Sequence, residues 1–262
     1  MPDTTPILPA GTRLERHAQL ASTNAAAMAR AEAGDEPGLW IMADGQSAGR
    51  GRSGRVWTSP VGNLYASLFI APSCALAEAP QLALVAGVAT HGAITSVAGG
   101  RITPAALRLK WPNDLLLGGA KAAGILLESA WSETWQRRNV VVGIGINLAA
   151  HPEGLDQPAT SLRAYGAEVD PSRMLGALAG ALDHWIGVWD AGRGFENVRQ
   201  RWQELGPRTG QAIRVREGER RLEGIFCGLE ADGALRLGGE GGRVVRILSG
   251  DIETADAASC AG

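Results

Sequence analysis

The sequence lacks a long hydrophobic run, which argues against a membrane-spanning protein and against a protein with a secretory signal. No apolar stretch approaches the roughly 20 residues needed to cross a bilayer. The first dozen residues contain Pro2, Pro6 and Pro9 but no apolar segment behind a basic start, so a secretory signal is not expected. A cytoplasmic protein that does not enter the membrane is the prediction.

Cysteine and histidine are both scarce. The three cysteines, Cys74, Cys227 and Cys260, are odd in number and far apart, which fits neither a disulfide framework nor a metal-ligand spacing. The four histidines are equally scattered and show no zinc signature. These scarcities favour a reducing compartment and argue against a zinc site.

A surplus of positive charge is also missing. The chain has 25 Lys and Arg against 27 Asp and Glu, a net charge of -2, so nucleic acid is not expected as its main partner. Hydrophobic residues make up 45% of the 262 residues, enough for a packed core. This length fits one large domain, or one domain with a small appendage.

Lysine is rarer than cysteine or histidine. Only Lys110 and Lys121 occur, and every other permanently cationic side chain is arginine. A lysine retained against such a bias suggests a need for a compact point charge. A coding bias that leaves two lysines by chance is the alternative. Both lysines, however, begin distinctive segments, KWPND and KAAGILLE, which favours a functional role.

Periodicity along the chain predicts alternating helices and strands in the first two hundred residues. The segment ASTNAAAMARAEAG predicts a helix capped by Ser22 or Thr23 and stopped by Gly34. Apolar residues at helical spacing predict a second helix, and Asp170 with Pro171 marks the start of a third. The second helix is expected over 81–97, and strands are expected at 39–43, 63–70, 107–111, 121–131 and 139–148.

The residue pattern of the sequence changes after Pro207, where short apolar runs alternate with glycine-rich turns. Four closely spaced short strands predict a small all-β barrel of about fifty residues. They are expected at 212–215, 221–227, 234–237 and 243–248. The predicted organisation is a loose tail over 1–11, a core over 12–206 and a barrel over 210–255.

The segment GQSAGRGRSGRVWTSP carries Arg50, Arg52 and Arg55 among glycines, between two predicted strands. Glycine lets backbone N–H groups approach an anion, and arginine binds phosphate or carboxylate bidentately. The segment is neither a Walker A loop nor a dinucleotide fingerprint, since no helix pattern follows it. An RNA-binding tract or a flexible linker is the alternative, and the aromatic Trp57 and Tyr65 that follow disfavour it.

Two further segments combine a turn or strand with unusual residues. In KWPND, Asp114 follows a proline turn, and it is interpreted either as a turn residue or as a ligand for a hard cation such as Mg²⁺. In GIGIN, Gly143 and Gly145 alternate with isoleucine inside a strand. Such glycines indicate close approach by a ligand or another backbone, or else a bulge.

Taken in order and spacing, STN, GQSAGRGRSGRVWTSPVGNLYASL, LKWPNDLLL, KAAGILLE and GIGINL resemble the motifs of biotin–protein ligases. The resemblance covers the chain from about residue 12 to residue 252. It implies an α+β fold, with a class II aminoacyl-tRNA synthetase-like catalytic core (a mixed sheet with helices) followed by a small SH3-like β-barrel. The chain resembles the ligase-only type, without an N-terminal DNA-binding domain.

The resemblance also implies roles for individual residues. The catalytic set would be Arg50, Arg52 and Lys121. The biotin pocket would comprise Ser22, Thr23, Asn24, Gln46, Arg50, Gly51, Arg52, Lys121 and Gly124. The nucleotide would be bound by Arg52, Arg55, Trp57, Asn113, Lys121 and Asn147, with Asp114 as a Mg²⁺ ligand. Ala122 departs from the larger apolar residue usual after this lysine.

The implied reaction has two steps. Biotin and ATP form biotinyl-5′-AMP with Mg²⁺, and a lysine of a biotin carboxyl carrier domain then receives the biotinyl group. The protein would be a monomer or a weak homodimer and would bind neither nucleic acid nor membrane. A lipoate–protein ligase and a non-catalytic adenylate sensor are the alternatives, and biotin-dependent pyrophosphate release distinguishes them.

Overall fold

The computed structural model describes residues 5–133 and 136–253 of the chain. The first four residues of the predicted tail, and residues 254–255 of the predicted barrel, lie outside this part. The described residues form two β-sheets and four α-helices. Within this part, no helix has both the length and the apolar character needed to cross a membrane.

The first sheet has seven strands in the order β1-β2-β3-β7-β6-β5-β4. Only the β1–β2 pair is parallel, so the sheet is mixed, as predicted. The strands are β1 (Arg13–Leu20), β2 (Leu39–Gln46), β3 (Leu64–Ile70), β4 (Leu107–Lys110), β5 (Asp114–Leu117), β6 (Ala120–Ser132) and β7 (Arg137–Ile146). The helices are α1 (Thr23–Glu32), α2 (Gln81–Val97), α3 (Pro171–Trp189) and α4 (Phe195–Leu205).

The second sheet is antiparallel, with the strand order β11-β10-β9-β8-β12. Its strands are β8 (Ala212–Glu217), β9 (Arg220–Leu229), β10 (Leu235–Gly238), β11 (Val244–Ile247) and β12 (Asp251–Glu253). The four predicted barrel strands are thus confirmed, and β12 was not predicted.

Two helix starts are confirmed in their capping chemistry. Ser22 is the N-cap of α1, and its hydroxyl accepts a hydrogen bond from the Ala25 backbone N–H at 3.4 Å. Asp170 caps α3 by accepting from the N–H groups of Ser172 and Arg173 at 2.9 and 3.1 Å. Each cap satisfies donors that have no partner within the helix, which fixes where the helix begins.

The alternation of side chains along β2 shows how the sheet is covered. Trp40 and Met42 belong to the large hydrophobic core, which includes residues of α2, α3 and α4. Leu39 and Ile41 point the other way, into a smaller cluster with Ala27 of α1. Strand β2 is therefore buried on both faces, with three helices on one side of the sheet and α1 on the other.

The second sheet packs against the first unit through the same core. Phe226 and Leu235 are fully buried members of the large cluster. The Trp111 Nε1–H donates to the Gly233 carbonyl at 3.1 Å, which joins the end of β4 to the turn before β10. This packing holds the outer face of β8 and β12 near the loop that follows β2.

His91 of α2 is buried, and its Nε2 lies 3.1 Å from the Leu107 carbonyl oxygen and 3.4 Å from that of Pro104. Burial lowers the pKa of the His91 imidazole below its ordinary value of 6.5. As the pH falls below about 6.5, the unfolded chain gains a proton that the folded chain resists, so the free energy of unfolding decreases. We expect a lower melting temperature at about pH 5.5 than at about pH 7.5, with a smaller difference in His91→Gln. Equal pH dependence in both proteins would contradict this prediction.

Candidate functional site

A cavity of about 750 Å³ lies where the first sheet, the N-terminus of α1 and the second sheet meet. All fourteen residues to which the sequence analysis assigned a role line it. They are Ser22, Thr23, Asn24, Gln46, Arg50, Gly51, Arg52, Arg55, Trp57, Asn113, Asp114, Lys121, Gly124 and Asn147. Residues from five separate segments of the chain are thus brought to one place.

Two rows of small and polar residues form the floor of the cavity on the α1 face of the sheet. In one row, Ser67 of β3 pairs with Gly143 of β7. In the second row, two residues further along β7, Gly145 pairs with Gly124 of β6. Two residues along a strand correspond to about 7 Å, so the rows support two adjacent parts of the cavity.

The glycines of GIGIN leave room for two side chains of the cavity, so the close approach predicted for this strand is made by protein side chains. A Cβ atom on Gly143 would overlap the amide of Asn24. A Cβ on Gly145 would lie 2.6 Å from the indole ring of Trp57, and one on Gly124 would lie 2.9 Å from it. Asn24 therefore lies on the first row and Trp57 on the second.

This packing predicts the effect of Gly145→Ala. The added methyl group would push Trp57 off the second row, and nucleotide affinity should fall by about tenfold if the ring stacks on the base. Gly92→Ala is the matched control, because Gly92 is exposed on α2 and, apart from its chain neighbours and the backbone of its own helix, no described atom lies within 4 Å of the position that its new methyl group would take. Calorimetric titration with ATP measures both variants. Equal affinities would show that the Trp57 position is unimportant for the nucleotide.

A hydrogen-bond network joins the start of α1 to the sheet. The side-chain oxygen of Gln46 accepts from the Thr23 backbone N–H at 2.8 Å, and the Gln46 amide donates to Ser59 at 3.0 Å. Ser67 Oγ lies 2.8 Å from Thr23 Oγ1 and 2.6 Å from Asn24 Oδ1. These polar side chains are mostly buried, so the network holds donors and acceptors in fixed positions at one end of the cavity.

The arginines of the glycine-rich loop are paired with carboxylates from distant segments. Arg52 Nη1 donates to Asp251 Oδ1 at 3.0 Å, and Arg55 Nη2 donates to Asp251 Oδ2 at 2.7 Å. Arg50 Nη2 lies 3.5 Å from Glu128 Oε1 on β6. Carboxylates thus stand beside every arginine for which the sequence predicted an anionic ligand.

The two lysines share one carboxylate. Lys121 Nζ lies 2.7 Å from Asp114 Oδ1, and Lys110 Nζ lies 3.6 Å from Asp114 Oδ2. Burial lowers the pKa of the Lys110 ammonium, and the neighbouring Asp114 carboxylate opposes that shift. The two lysines therefore place their ammonium groups beside the same carboxylate in the cavity.

This arrangement does not fit the predicted Mg²⁺ ligand role of Asp114. Both of its oxygens face ammonium groups, which would repel a divalent cation. Among residues 5–133 and 136–253, no cluster of three or more His, Cys, Asp or Glu side chains could hold a metal ion. The physical reason is the register of β5 with β4 and β6, which places Asp114 between the two lysines.

The two predicted nucleotide-binding asparagines also tether the backbone. Asn113 Nδ2 donates to the Ile125 carbonyl at 2.6 Å, while its Oδ1 accepts from Arg52 at 3.3 Å. Asn147 Nδ2 donates to the Thr160 carbonyl at 3.0 Å. Asn113 thereby links the arginine loop to β6, in addition to any contact with a ligand.

Trp57 lies beside the Lys121 ammonium, whose Nζ is 5.4 Å from the ring centroid. This distance is within the range of a cation–π interaction. The Trp57 Nε1–H is buried and has no hydrogen-bond partner among the described residues. A buried donor without a partner is costly, so a ligand acceptor at this position would be stabilising.

Sequence reasoning missed several residues of the cavity and its floor. Ser67 and Glu128 lie within quoted motifs but were assigned no role, although strand alternation places both on the cavity face. The outer face of the second sheet was missed entirely, and it contributes Arg214, Arg216, Arg221, Asp251 and Glu253 to the lining. The three arginines surround Glu253 at N–O distances of 3.5 to 4.0 Å. No local signal in the sequence distinguishes these charges from an ordinary solvated strand face.

Comparison with known families gives two matches. The Biotin/lipoate A/B protein ligase family matches residues 18–147, and the biotin protein ligase C-terminal domain matches residues 209–254. The first match contains the glycine-rich loop and both lysines, and the second contains the five strands of the second sheet.

Individual relatives agree with these matches. A biotin–[acetyl-CoA-carboxylase] ligase of Paracoccus denitrificans is 41% identical over 86% of this chain and 93% of its own length. The bifunctional ligase/repressor BirA of Bacillus subtilis is 34% identical over 93% of this chain and 74% of its own. Among solved structures, the biotin protein ligase from Aquifex aeolicus in complex with biotin and ATP has a TM-score of 0.76 and 27% identity, covering 92% of this chain and 97% of that one.

Proposed function

The chain belongs to the biotin/lipoate A/B protein ligase family, as one of its biotin–protein ligases, and from this premise we propose how its cavity works. The protein activates biotin with ATP and transfers it to a lysine of a biotin carboxyl carrier domain. The observation that carries this proposal is the meeting of three loop arginines, Lys121 and a buried polar network in one cavity. Anion-binding groups thus adjoin a site with fixed donors and acceptors for a small polar ring.

In the first step, a biotin carboxylate oxygen attacks the α-phosphorus of ATP, and the bond from that phosphorus to the pyrophosphate oxygen breaks. Two anions must approach each other, so cationic groups dominate the stabilisation of the transition state. Arg50, Arg52 and Lys121 are proposed for this role. Their carboxylate partners keep them in place before the substrates bind, so little reorganisation is needed on binding.

In the second step, the neutral amine of the carrier lysine attacks the biotinyl carbonyl carbon, and AMP leaves with the electrons of the anhydride bond. The amine loses a proton as the amide forms, and this proton passes to the phosphate of the leaving AMP and from there to solvent. Asp114 is the carboxylate closest to Lys121, and we propose that it orients the incoming amine. Loss of the carrier's target lysine would leave the first step intact.

Magnesium enters this reaction as part of the substrate. Mg²⁺ binds the phosphates of ATP in preference to an all-protein cage, and it neutralises the charge of the leaving pyrophosphate. Since Asp114 faces two lysines, we do not assign a resident metal site to it. The chain's own residues bind and orient the nucleotide.

Three further features belong to the proposal. We propose that the division between core and barrel lies at residues 206–210, and the end of α4 at Leu205 and the start of β8 at Ala212 support this boundary. The support for a cytoplasmic location is that Cys74 and Cys227 form no disulfide within the described part of the chain. The carrier domain is the partner, and the monomer or weak homodimer stays a prediction.

The test is a pyrophosphate-release assay with biotin or lipoate, followed by transfer to a carrier domain. We expect ATP-dependent release with biotin, little with lipoate, and a mass increase of the carrier that disappears when its target lysine is replaced by arginine. Release with lipoate alone would favour the lipoate ligase alternative. Tight adenylate binding without transfer to any carrier would favour a sensor.

A further inference from the structure

The second sheet holds the arginine loop through a single side chain. The Asp251 carboxylate accepts from Arg52 Nη1 at 3.0 Å and from Arg55 Nη2 at 2.7 Å, one arginine on each oxygen. The neighbouring Gly250 carbonyl also accepts from Arg52 Nη1 at 3.2 Å. These contacts join residues almost two hundred positions apart in the chain, since Arg52 and Asp251 differ by 199.

Asp251 is well placed to fix both arginines. It begins β12, where it pairs with Arg216 of β8, so its backbone is held within the second sheet. Its side chain is 21% exposed, against 49% for Arg55, so it is the more enclosed member of that ion pair. A carboxylate on a paired strand therefore anchors two long side chains that extend from an irregular loop.

The contacts of Arg52 leave part of its guanidinium for a ligand. Its hydrogen bonds to Asp251, Gly250 and Asn113 all use Nη1. A guanidinium has five N–H donors, and phosphate or carboxylate binds two of them side by side. The Nε and Nη2 donors of Arg52 can bind an anion while Nη1 remains on Asp251, so the carboxylate need not be displaced.

We propose that Asp251 is a positioning residue of the active site, through which the second sheet sets the geometry of Arg52 and Arg55 for the adenylate phosphate. The proposal rests on the biotin ligase function described above. It gives the C-terminal sheet a role in the first step, because the loop arginines then depend on a residue from that sheet. Holding both side chains in advance lowers the entropy lost on binding.

Asp251→Asn tests this directly. The amide has one oxygen to accept from an arginine, and its NH₂ group faces the other arginine as a second donor. We expect the Kd of synthetic biotinyl-5′-AMP, measured by calorimetry, to rise about tenfold, as for loss of one charge-assisted hydrogen bond. The Kd of biotin alone should rise less, because only Arg52 of the two arginines is assigned to the biotin pocket. Hydrogen exchange across the loop should be faster in the unliganded variant.

A double-mutant cycle separates positioning from general damage to the fold. In an Arg52→Ala/Arg55→Ala background, Asp251 has lost both arginine partners, so Asp251→Asn should change the Kd no further. Glu230→Gln is the matched control, because Glu230 pairs with Arg236 on the second sheet and does not line the cavity. It should bind the adenylate like the unmodified protein.

Three results would overturn the inference. These are an unchanged Kd in Asp251→Asn, a lower Kd that shows competition with the ligand, or the same loss in the doubly substituted background. Failure of the proposed function has a different signature, because the unmodified protein would then form no biotinyl-adenylate from biotin and ATP. Comparing the unmodified protein with Asp251→Asn therefore distinguishes the two failures.

Discussion

Arg52→Ala is expected to slow formation of biotinyl-adenylate by about 10² to 10³-fold, the usual loss for a removed transition-state donor. The guanidinium lies between Asn113, Asp251 and the cavity, so its removal takes a cation from the point where two anions must meet. The bound intermediate should also leave faster. Single-turnover measurements with labelled ATP, and filter-binding of the labelled adenylate, give the two rates separately.

Two comparisons make this result specific. Arg52→Lys keeps the charge but loses the bidentate fork, so its activity should lie between those of the unmodified protein and Arg52→Ala. Arg173→Ala removes an exposed arginine at the start of α3, outside the cavity, and should be fully active. Normal retention of the adenylate by Arg52→Ala would reject the assignment of Arg52.

Lys121→Met is expected to reduce adenylate formation by about 10²-fold or more, because it removes the ammonium group nearest the predicted reaction centre. Lys121 is 23% exposed, lies 2.7 Å from Asp114 and contacts the face of Trp57. Methionine has a similar length without the charge, so the fold should survive. Asp114 would keep Lys110 as a partner at 3.6 Å.

Lys121→Arg tests whether the site needs only a positive charge or specifically a compact ammonium group. If only charge matters, arginine should restore activity, whereas a need for a compact ammonium predicts that activity stays at about a tenth or less. Circular dichroism and thermal melting check that each variant is folded. A fully active Lys121→Met would show that the scarcity of lysine reflects composition alone.

Local patterns predicted much of the fold correctly. The helix expected over 81–97 is α2, and Asp170 caps α3. Four elements went unpredicted: β1, β5, α4 and β12. In α4, Phe195, Val198, Trp202 and Leu205 are buried at helical spacing, so the sequence does carry a signal for this helix. In β1, RLERHAQL has no fully buried side chain and lies at the sheet edge, so no alternation marks it clearly.

For the candidate site, too, the sequence predicted some features and only the structure showed the others. The glycine-rich loop, the KWPND turn and the alternating glycines indicated the cavity because each is a short run of unusual residues. Gly143 and Gly145 suggested a close approach, but only the folded chain identified Asn24 and Trp57 as the neighbours. The interpretation of Asp114 as a metal ligand came from residue type alone, and it does not fit the structure because Lys110 and Lys121 both face that carboxylate.

By itself, the sequence determined the family and the capped starts of α1 and α3, and it predicted the anion-binding character of the loop, because neighbouring residues in the chain carry these signals. Only the tertiary structure decided which carboxylate stands beside which cation. Glu128 reaches Arg50 through the register of β6, and Asp251 reaches Arg52 through the packing of the second sheet. Charged side chains pair by distance in the folded state, and an isolated Asp or Glu carries no mark of its partner in the sequence.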